Sequence, residues 1–589
     1  MKRILLLSLL APVFARADIQ YTLAPNPSAQ DVAVTITADN TADKSTFTMP
    51  AWVPGFYVIL HHEKTVSNVK ATDSNGAPLK VETQTDPRSW TVVNPKHSRI
   101  IFSYHVKGSD PGLGFFGVNV REKTAFVLGG AAFMYIDGRK EEPTTLKITN
   151  PQGWQIGTSM NVDPKGIYHA RDYDEFIDHP IDLGHFVKRT FVALNTPFEV
   201  DFVTTMTPTK DQSGNVISDG TYNSAAADAM TARIQKLVVP AMEMFGKYPF
   251  KRYVFHLHFA VGDFSGGLEH QASVTIAIPP RTGPAAVDDL FTHEFFHAWN
   301  VKNIRPFVLG PFDYTKEDRT DNLWFAEGVT DYYAKVNAYR SGLDGADEYL
   351  FPSLTSEIRT YQRGQTRLTK TLADASQGAW EGFSEGTGDL SYYNKGQLAG
   401  WILDANIRDA TKGTKSLDDV MRFMYDMYHL PDKPGYPENG ILLAINQVSG
   451  KDFSALYNKL IYSTDDLPYG ELEKIGIRVT PADQEFPSLG FTTDDHGVVQ
   501  DLEAAVEQQG LQVGDEIITI DGKPYTTFMT GLKTTGYSVN VRRGGDPETV
   551  ELKPIIVKAD RFDARPDPFA TVEQGQRLLE WLKRPSGIK

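Results

Sequence analysis

His293-Glu294-Phe295-Phe296-His297 constrains this chain more than any other stretch. Two histidines four residues apart on a helix leave one face a single turn apart, so both imidazoles can reach one tetrahedral zinc ion. Glu294 stands beside the open metal position, where it can take a proton from a water attacking a carbonyl. Asp288 and Asp289 suit the start of the helix, where negative charge is favoured, and no proline interrupts residues 285–305. A helix is therefore expected across that run. The plain alternative is a surface helix carrying two unrelated histidines.

The chain has no cysteine, so a metal must be held by histidine and carboxylate, and disulfides and thiol nucleophiles are excluded. A net charge of −15 argues against a general nucleic-acid partner. With 589 residues the chain has room for roughly three to five domains. Lys2 and Arg3 precede an apolar run from Ile4 to Phe14 and the small-x-small Ala15-Arg16-Ala17. That pattern predicts a signal peptide at 1–17 and a secreted, periplasmic protein. No later run is apolar enough for a membrane helix.

Residues 18–188 read as strands and turns, and a β-sandwich is expected. Within it, Met49-Pro50-Ala51-Trp52-Val53-Pro54-Gly55-Phe56-Tyr57 is a rigid aromatic loop. It either lines a cleft shared with the next domain or packs on its own sandwich. The pattern changes near Phe191: a strand over 198–203, a long helix from Ser224 to Phe245, and a strand over 253–259. His256 and His258 share one face of that strand and are read as structural. Gly266 and Gly267 allow a close backbone approach, and Glu269 beside them either binds a cation or is solvated at a turn. Past the histidine pair, Glu327 and Asp331 lie one helical turn apart. Glu327 fits the third metal ligand, and Asp331 fits a partner that orients a ligating histidine. The alternative is the polar face of an ordinary helix.

These motifs resemble the glycyl aminopeptidase family of zinc metallopeptidases. The likeness runs through His293-Glu294-Phe295-Phe296-His297-Ala298-Trp299-Asn300-Val301-Lys302, Ile304-Arg305-Pro306, Phe312-Asp313-Tyr314 and Leu323-Trp324-Phe325-Ala326-Glu327-Gly328. Wider relatives carry a Gly-x-Met-Glu-Asn strand whose glutamate grips the substrate amine. Gly266-Gly267-Leu268-Glu269-His270 stands in that place, with Leu268 and His270 departing from the pattern. Their Tyr-x-Lys-Gly segment, whose tyrosine stabilises an oxyanion, is matched by Tyr393-Asn394-Lys395-Gly396, with Tyr392 as the rival.

The resemblance implies a multidomain α+β chain. A thermolysin-like α/β catalytic domain with a helical lobe is expected over 189–470. Residues 471–558, with Ser488-Leu489-Gly490-Phe491, resemble a PDZ domain, and a helical extension over 559–589 follows. The PDZ groove either takes a peptide or is structural. The implied activity is a zinc aminopeptidase with one ion, acting on peptides with a free N-terminus and preferring glycine and alanine. The rival activities are a zinc endopeptidase and a PDZ-bearing binding protein on an inactive scaffold.

Overall fold

Along Asp31–Ala38 every second side chain is buried, and Ile19–Asn26 and Ile100–Lys107 follow the same rhythm. Period-two burial gives a sheet one covered face, here filled by Tyr21, Val34, Ile36, Phe102 and Tyr104. The three strands pair antiparallel with Asp31–Ala38 in the middle, inside an eleven-stranded sheet. A second sheet of four strands includes Thr124–Val127 and Ile181–Gly184. The N-terminal unit is thus β-rich.

The computed structural model describes residues 19–584, apart from 40–41, 111, 211–212, 261, 281, 344, 346–348, 383–387, 430–434, 495, 527–528 and 560. The expected signal peptide lies outside the described residues. Among the described residues no helix is long and apolar enough to cross a membrane.

Val187–Ala193, which spans the expected boundary at 188, pairs with Thr196–Val203 and opens a second, five-stranded sheet. Thr196–Val203, Tyr253–Phe259 and Ser273–Ile278 run parallel, and Gly266–Glu269 closes one edge antiparallel to Ser273–Ile278. Tyr253–Phe259 and Ser273–Ile278 are buried at every residue, as strands covered on both faces are. His256 and His258 both face Asp182, at 2.7 and 3.1 Å, and tie this sheet to the N-terminal unit.

Two expected helices are shorter than their periodicity suggests. The run from Ser224 to Phe245 divides into Ser224–Leu237 and Val239–Phe245. Pro240 sits in the first turn of the second piece, where it has no N–H to continue the first. The HEFFH helix covers Asp288–Phe296 and then loosens into irregular turns, without a proline to end it. There the Asn303 side-chain amide donates to the Ala298 carbonyl at 2.7 Å, and the His297 ring reaches the Asn300 carbonyl. Side-chain bonds to the backbone compete with the helical ladder.

The loop over 49–57 docks on the second unit. Trp52 Nε1 donates to the Asp313 carbonyl at 3.0 Å, and the Ala51 N–H to the Tyr314 carbonyl at 2.9 Å. Helices including Tyr392–Ala410 and Leu417–Tyr428 form the lobe beyond. Past Ile477–Thr480, a small unit has its own core around Val499, Ile520, Val539 and Leu552.

The C-terminal helix Val572–Trp581 begins at a Thr571–Gln574 capping box and returns to the main core. Trp581 Nε1 donates to the Tyr332 hydroxyl at 2.9 Å, and its ring lies 4.6 Å from that of Trp401. Trp581→Ala is expected to cost about 3–5 kcal/mol of unfolding free energy, as other large-to-small core changes do. The denaturation midpoint measures it, and a shift within experimental error would make this helix a dispensable tail.

Candidate metal centre and catalytic cleft

Helical spacing does what the sequence requires of it: His293 and His297 present their Nε2 atoms 2.9 Å apart. Glu327 arrives from a π-helical turn, Trp324–Gly328, that leads into the helix Val329–Arg340. Such turns mark functional positions more often than chance. Its Oε2 lies 3.5 Å from His293 Nε2 and 3.3 Å from His297 Nε2. Zinc bonds of about 2.0–2.2 Å at tetrahedral angles set ligand atoms roughly 3.4 Å apart, so the three atoms fit that ion.

The far ring nitrogens are held as well. Asp331 Oδ1 accepts from His293 Nδ1 at 2.7 Å, which brings together the pair expected from the sequence. The Asn300 carbonyl accepts from His297 Nδ1 at 2.6 Å. That partner went unrecognised in the sequence, because a backbone carbonyl leaves no mark in residue type. The Asn300 side chain donates in turn to the Phe325 carbonyl at 2.8 Å, tying the histidine segment to the glutamate turn. Partners of this kind fix ring orientation and raise ligand basicity.

Glu294 lines a cavity of about 500 Å³ together with His293, and one of its oxygens lies within 4.8 Å of a His297 ring nitrogen. It is buried, and its Oε2 has no hydrogen-bond partner. Burial pushes its carboxyl up to about 7, partly offset by the nearby histidines. Room for it comes from Gly267, where a Cβ would fall inside the Glu294 carboxyl group. Gly266 lines the same cavity. Glu269, at the end of this edge strand, is buried, and its Oε1 has no hydrogen-bond partner. One of its oxygens lies within 4.8 Å of ligand atoms of both Glu294 and His297.

The strand is pinned just beyond. Asp178, from the N-terminal unit, accepts from Lys302 Nζ at 2.7 Å, from the Gln271 N–H at 2.9 Å and from His270 Nδ1 at 3.2 Å. His270, which departs from the relatives' asparagine, thus braces the Glu269 strand against the segment after the histidine pair.

Tyr393 lies on the helix Tyr392–Ala410, its ring 6.0 Å from that of His293 and nearly parallel to it. Burial, and then the charge of Glu327, push its phenol well above the usual range, so it stays a donor at neutral pH. Tyr392 lines the cavity too, its ring 4.8 Å from that of Tyr393. The helix can come this near because two glycines meet. A Cβ on Gly328 would lie 2.6 Å from Gly396 Cα, and one on Gly396 would lie 2.6 Å from the Trp324 carbonyl oxygen.

A paired-histidine helix, a remote glutamate and a buried, unpartnered carboxylate beside them are an arrangement that metal-dependent peptidases use. Comparison narrows this. Residues 20–185 match the peptidase M61 N-terminal domain, and residues 287–399 match the M61 glycyl aminopeptidase, a span that holds His293, His297, Glu327 and Tyr393. Two stretches of the chain thus resemble domains of the M61 peptidase family. No curated protein matches it. An aminopeptidase N family protein from Idiomarina loihiensis is 22% identical, with a TM-score of 0.72 over 96% of this chain and 100% of that one, and shares its fold. An M1 zinc metallopeptidase from Deinococcus radiodurans is 13% identical over 76% of this chain and 95% of that one, with a TM-score of 0.46. Leukotriene A4 hydrolase from Saccharomyces cerevisiae is 12% identical over 76% and 68%, also at 0.46. Those two are too distant to carry an argument.

Proposed function

We propose that this protein is a zinc aminopeptidase that removes small N-terminal residues, glycine and alanine, from peptides. The observation that carries the reading is Glu269: a buried carboxylate with an unpartnered oxygen, within a few ångströms of the base and of a metal ligand. A cation would complete it, and a substrate ammonium one residue from the scissile carbonyl is such a cation.

His293, His297 and Glu327 would hold the zinc, which when bound supplies Lewis acidity to the attacking water and the substrate carbonyl. Glu294, its carboxyl near 7, takes a proton from the water and passes it to the leaving amine. The Tyr393 hydroxyl donates to the oxygen on which negative charge develops. Glu269 holds the ammonium and sets the register of the peptide.

The test is hydrolysis of a panel of aminoacyl amides and their acetylated forms, with and without a chelator. Free glycyl and alanyl amides should be cleaved, the acetylated forms should not, and the chelator should stop turnover. Equal cleavage of acetylated substrates would make the enzyme an endopeptidase. No turnover at all would leave an inactive scaffold.

Tyr393→Phe should lower kcat about 10²-fold and leave KM nearly unchanged, because the phenol acts only as charge develops. An unchanged kcat would pass the role to Tyr392.

Two further readings complete the proposal. Residues 471–558 are a PDZ domain; a groove of about 580 Å³ beside Leu489, Phe491, Tyr525 and Met529 supports this, with Phe351 and Arg359 of the catalytic unit on its other wall. The N-terminal leader directs the protein to the periplasm, which fractionation would test.

A further inference from the structure

The parallel strands of the second unit carry a polar row where they meet the N-terminal unit. Asp201, His256 and Thr275 stand side by side on Thr196–Val203, Tyr253–Phe259 and Ser273–Ile278, in one register. In-register neighbours share a face of the sheet, and all three residues are fully buried. Phe255, one residue before His256, points the other way: its ring lies 6.0 Å from that of Phe295 on the HEFFH helix. The row is therefore on the opposite side of the sheet from that helix. The N-terminal unit supplies Asp182, also fully buried, whose carboxylate accepts from His256 Nδ1 at 2.7 Å and from His258 Nε2 at 3.1 Å. It also supplies Gly157, opposite Asp182 in the paired strands Gln155–Gly157 and Ile181–Gly184. A Cβ on Gly157 would fall on Asp201 Oδ2, so the Asp201 carboxyl is aimed into the seam beside Asp182.

Hydrogen bonds do not account for this row. Neither oxygen of Asp201 has a hydrogen-bond partner, nor does His256 Nε2 or Thr275 Oγ1. Lys188 Nζ stands off at 3.8 Å from Asp201 Oδ1 and donates to Glu199 at 2.7 Å instead. Burial pushes the Asp201 carboxyl well above its usual range, Lys188 opposes the push, and the charges of Glu199 and Asp182 add to it. Buried charges are paired or coordinate metals, because one left alone costs far more than a hydrogen bond returns. One ligand atom from each of Asp182, Asp201 and His256 lies within 4.8 Å of the other two. We propose that these three residues hold a second metal ion, a divalent cation of the zinc type, between the two units. Such an ion takes imidazole nitrogen together with carboxylate oxygen, and the two aspartates offset its charge. Thr275 offers a further oxygen on the same face. With all its ligands buried the ion is structural: it ties Asp182 of the N-terminal unit to two strands of the second, and its binding energy is folding energy.

The experiment is elemental analysis of the full chain, saturated with zinc and freed of excess. A double variant, His293→Ala with His297→Ala, removes two histidines of the catalytic centre and leaves the buried row intact. It should keep one equivalent of zinc, and its melting temperature should fall when a strong chelator removes that ion. Adding Asp201→Asn should abolish the remaining equivalent, and His256→Gln gives the same reading if the asparagine variant does not fold. Asp201→Asn in the wild-type background should lose one of two equivalents and melt at a lower temperature. The competing account is that Asp201 meets its burial by holding a proton. Asparagine then replaces it without loss, so the variant would melt no lower than the wild type and carry as much zinc. That result would overturn the proposal. So would a double histidine variant that binds no zinc, or one that keeps its zinc after Asp201→Asn or His256→Gln.

Discussion

Glu294→Gln is expected to lower kcat by about 10²–10⁴-fold, the usual worth of a general base, while the bound metal stays at the wild-type level. Glutamine has the same shape, so it fits the space left by Gly267. It cannot accept a proton, and the Glu294 Oε2 it replaces has no hydrogen-bond partner to lose. The metal measurement is as informative as the rate. Among the described residues, Glu269, Glu294 and His297 also bring ligand atoms within 4.8 Å of one another, so a second triad competes on geometry alone. If that triad held the ion, Glu294→Gln would lose metal along with activity. Retained metal with lost turnover assigns the ion to His293, His297 and Glu327. Normal turnover would remove the base role altogether.

The local parts of this site were legible because their chemistry depends on spacing within one helix. His293, His297 and Glu294 need only a period of 3.6, and Glu327 and Asp331 need only one turn. What spacing cannot carry is contact between distant segments. Gly55 is far from Glu269 in the chain, and the docking of its loop on Asp313 and Tyr314 brings the two together. Taken alone, Trp52 and Tyr57 read equally well as filling for their own domain.

The same limit applies to the helical lobe. Gly328 and Gly396 each stand out as part of a motif, but their reason is mutual: each lacks a Cβ so that Tyr393 can approach His293. Helix ends depart from the sequence pattern where side chains rewrite the backbone bonding. Residues 297–305 keep a helical composition, yet the Asn300 carbonyl is turned back to the His297 ring. That bond trades helix for a fixed imidazole. The C-terminal helix, apolar in pattern, gave no sign that Trp581 would reach Tyr332, on the helix that follows Glu327.

Glu269→Ala should depress kcat/KM on alanyl amides by about 10²–10³-fold, within the range set by the ~2–5 kcal/mol lost when one charge of a desolvated pair is left alone. The carboxylate ends an edge strand that Gly266 and Gly267 bring close to the base, and Gly55 covers it. It can neither swing to solvent nor be replaced by a neighbouring acid without moving that strand. An ammonium there makes a charge-assisted hydrogen bond, roughly twice as strong as a neutral one. An acetylated terminus brings no cation and more bulk, so the wild type should reject it twice over. Once the carboxylate is gone, little remains to distinguish the two substrates. The loss on acetyl-alanyl amides should therefore be much smaller, and the ratio of free to blocked turnover should fall toward one. Metal content should not change, since Glu269 is not needed to complete the triad at Glu327. Thermal stability should hold or rise, because the substitution removes a buried oxygen that has no hydrogen-bond partner in the free enzyme. Equal losses on both substrates would reduce Glu269 to a structural residue and make the enzyme an endopeptidase. Loss of metal would instead place the ion between Glu269, Glu294 and His297.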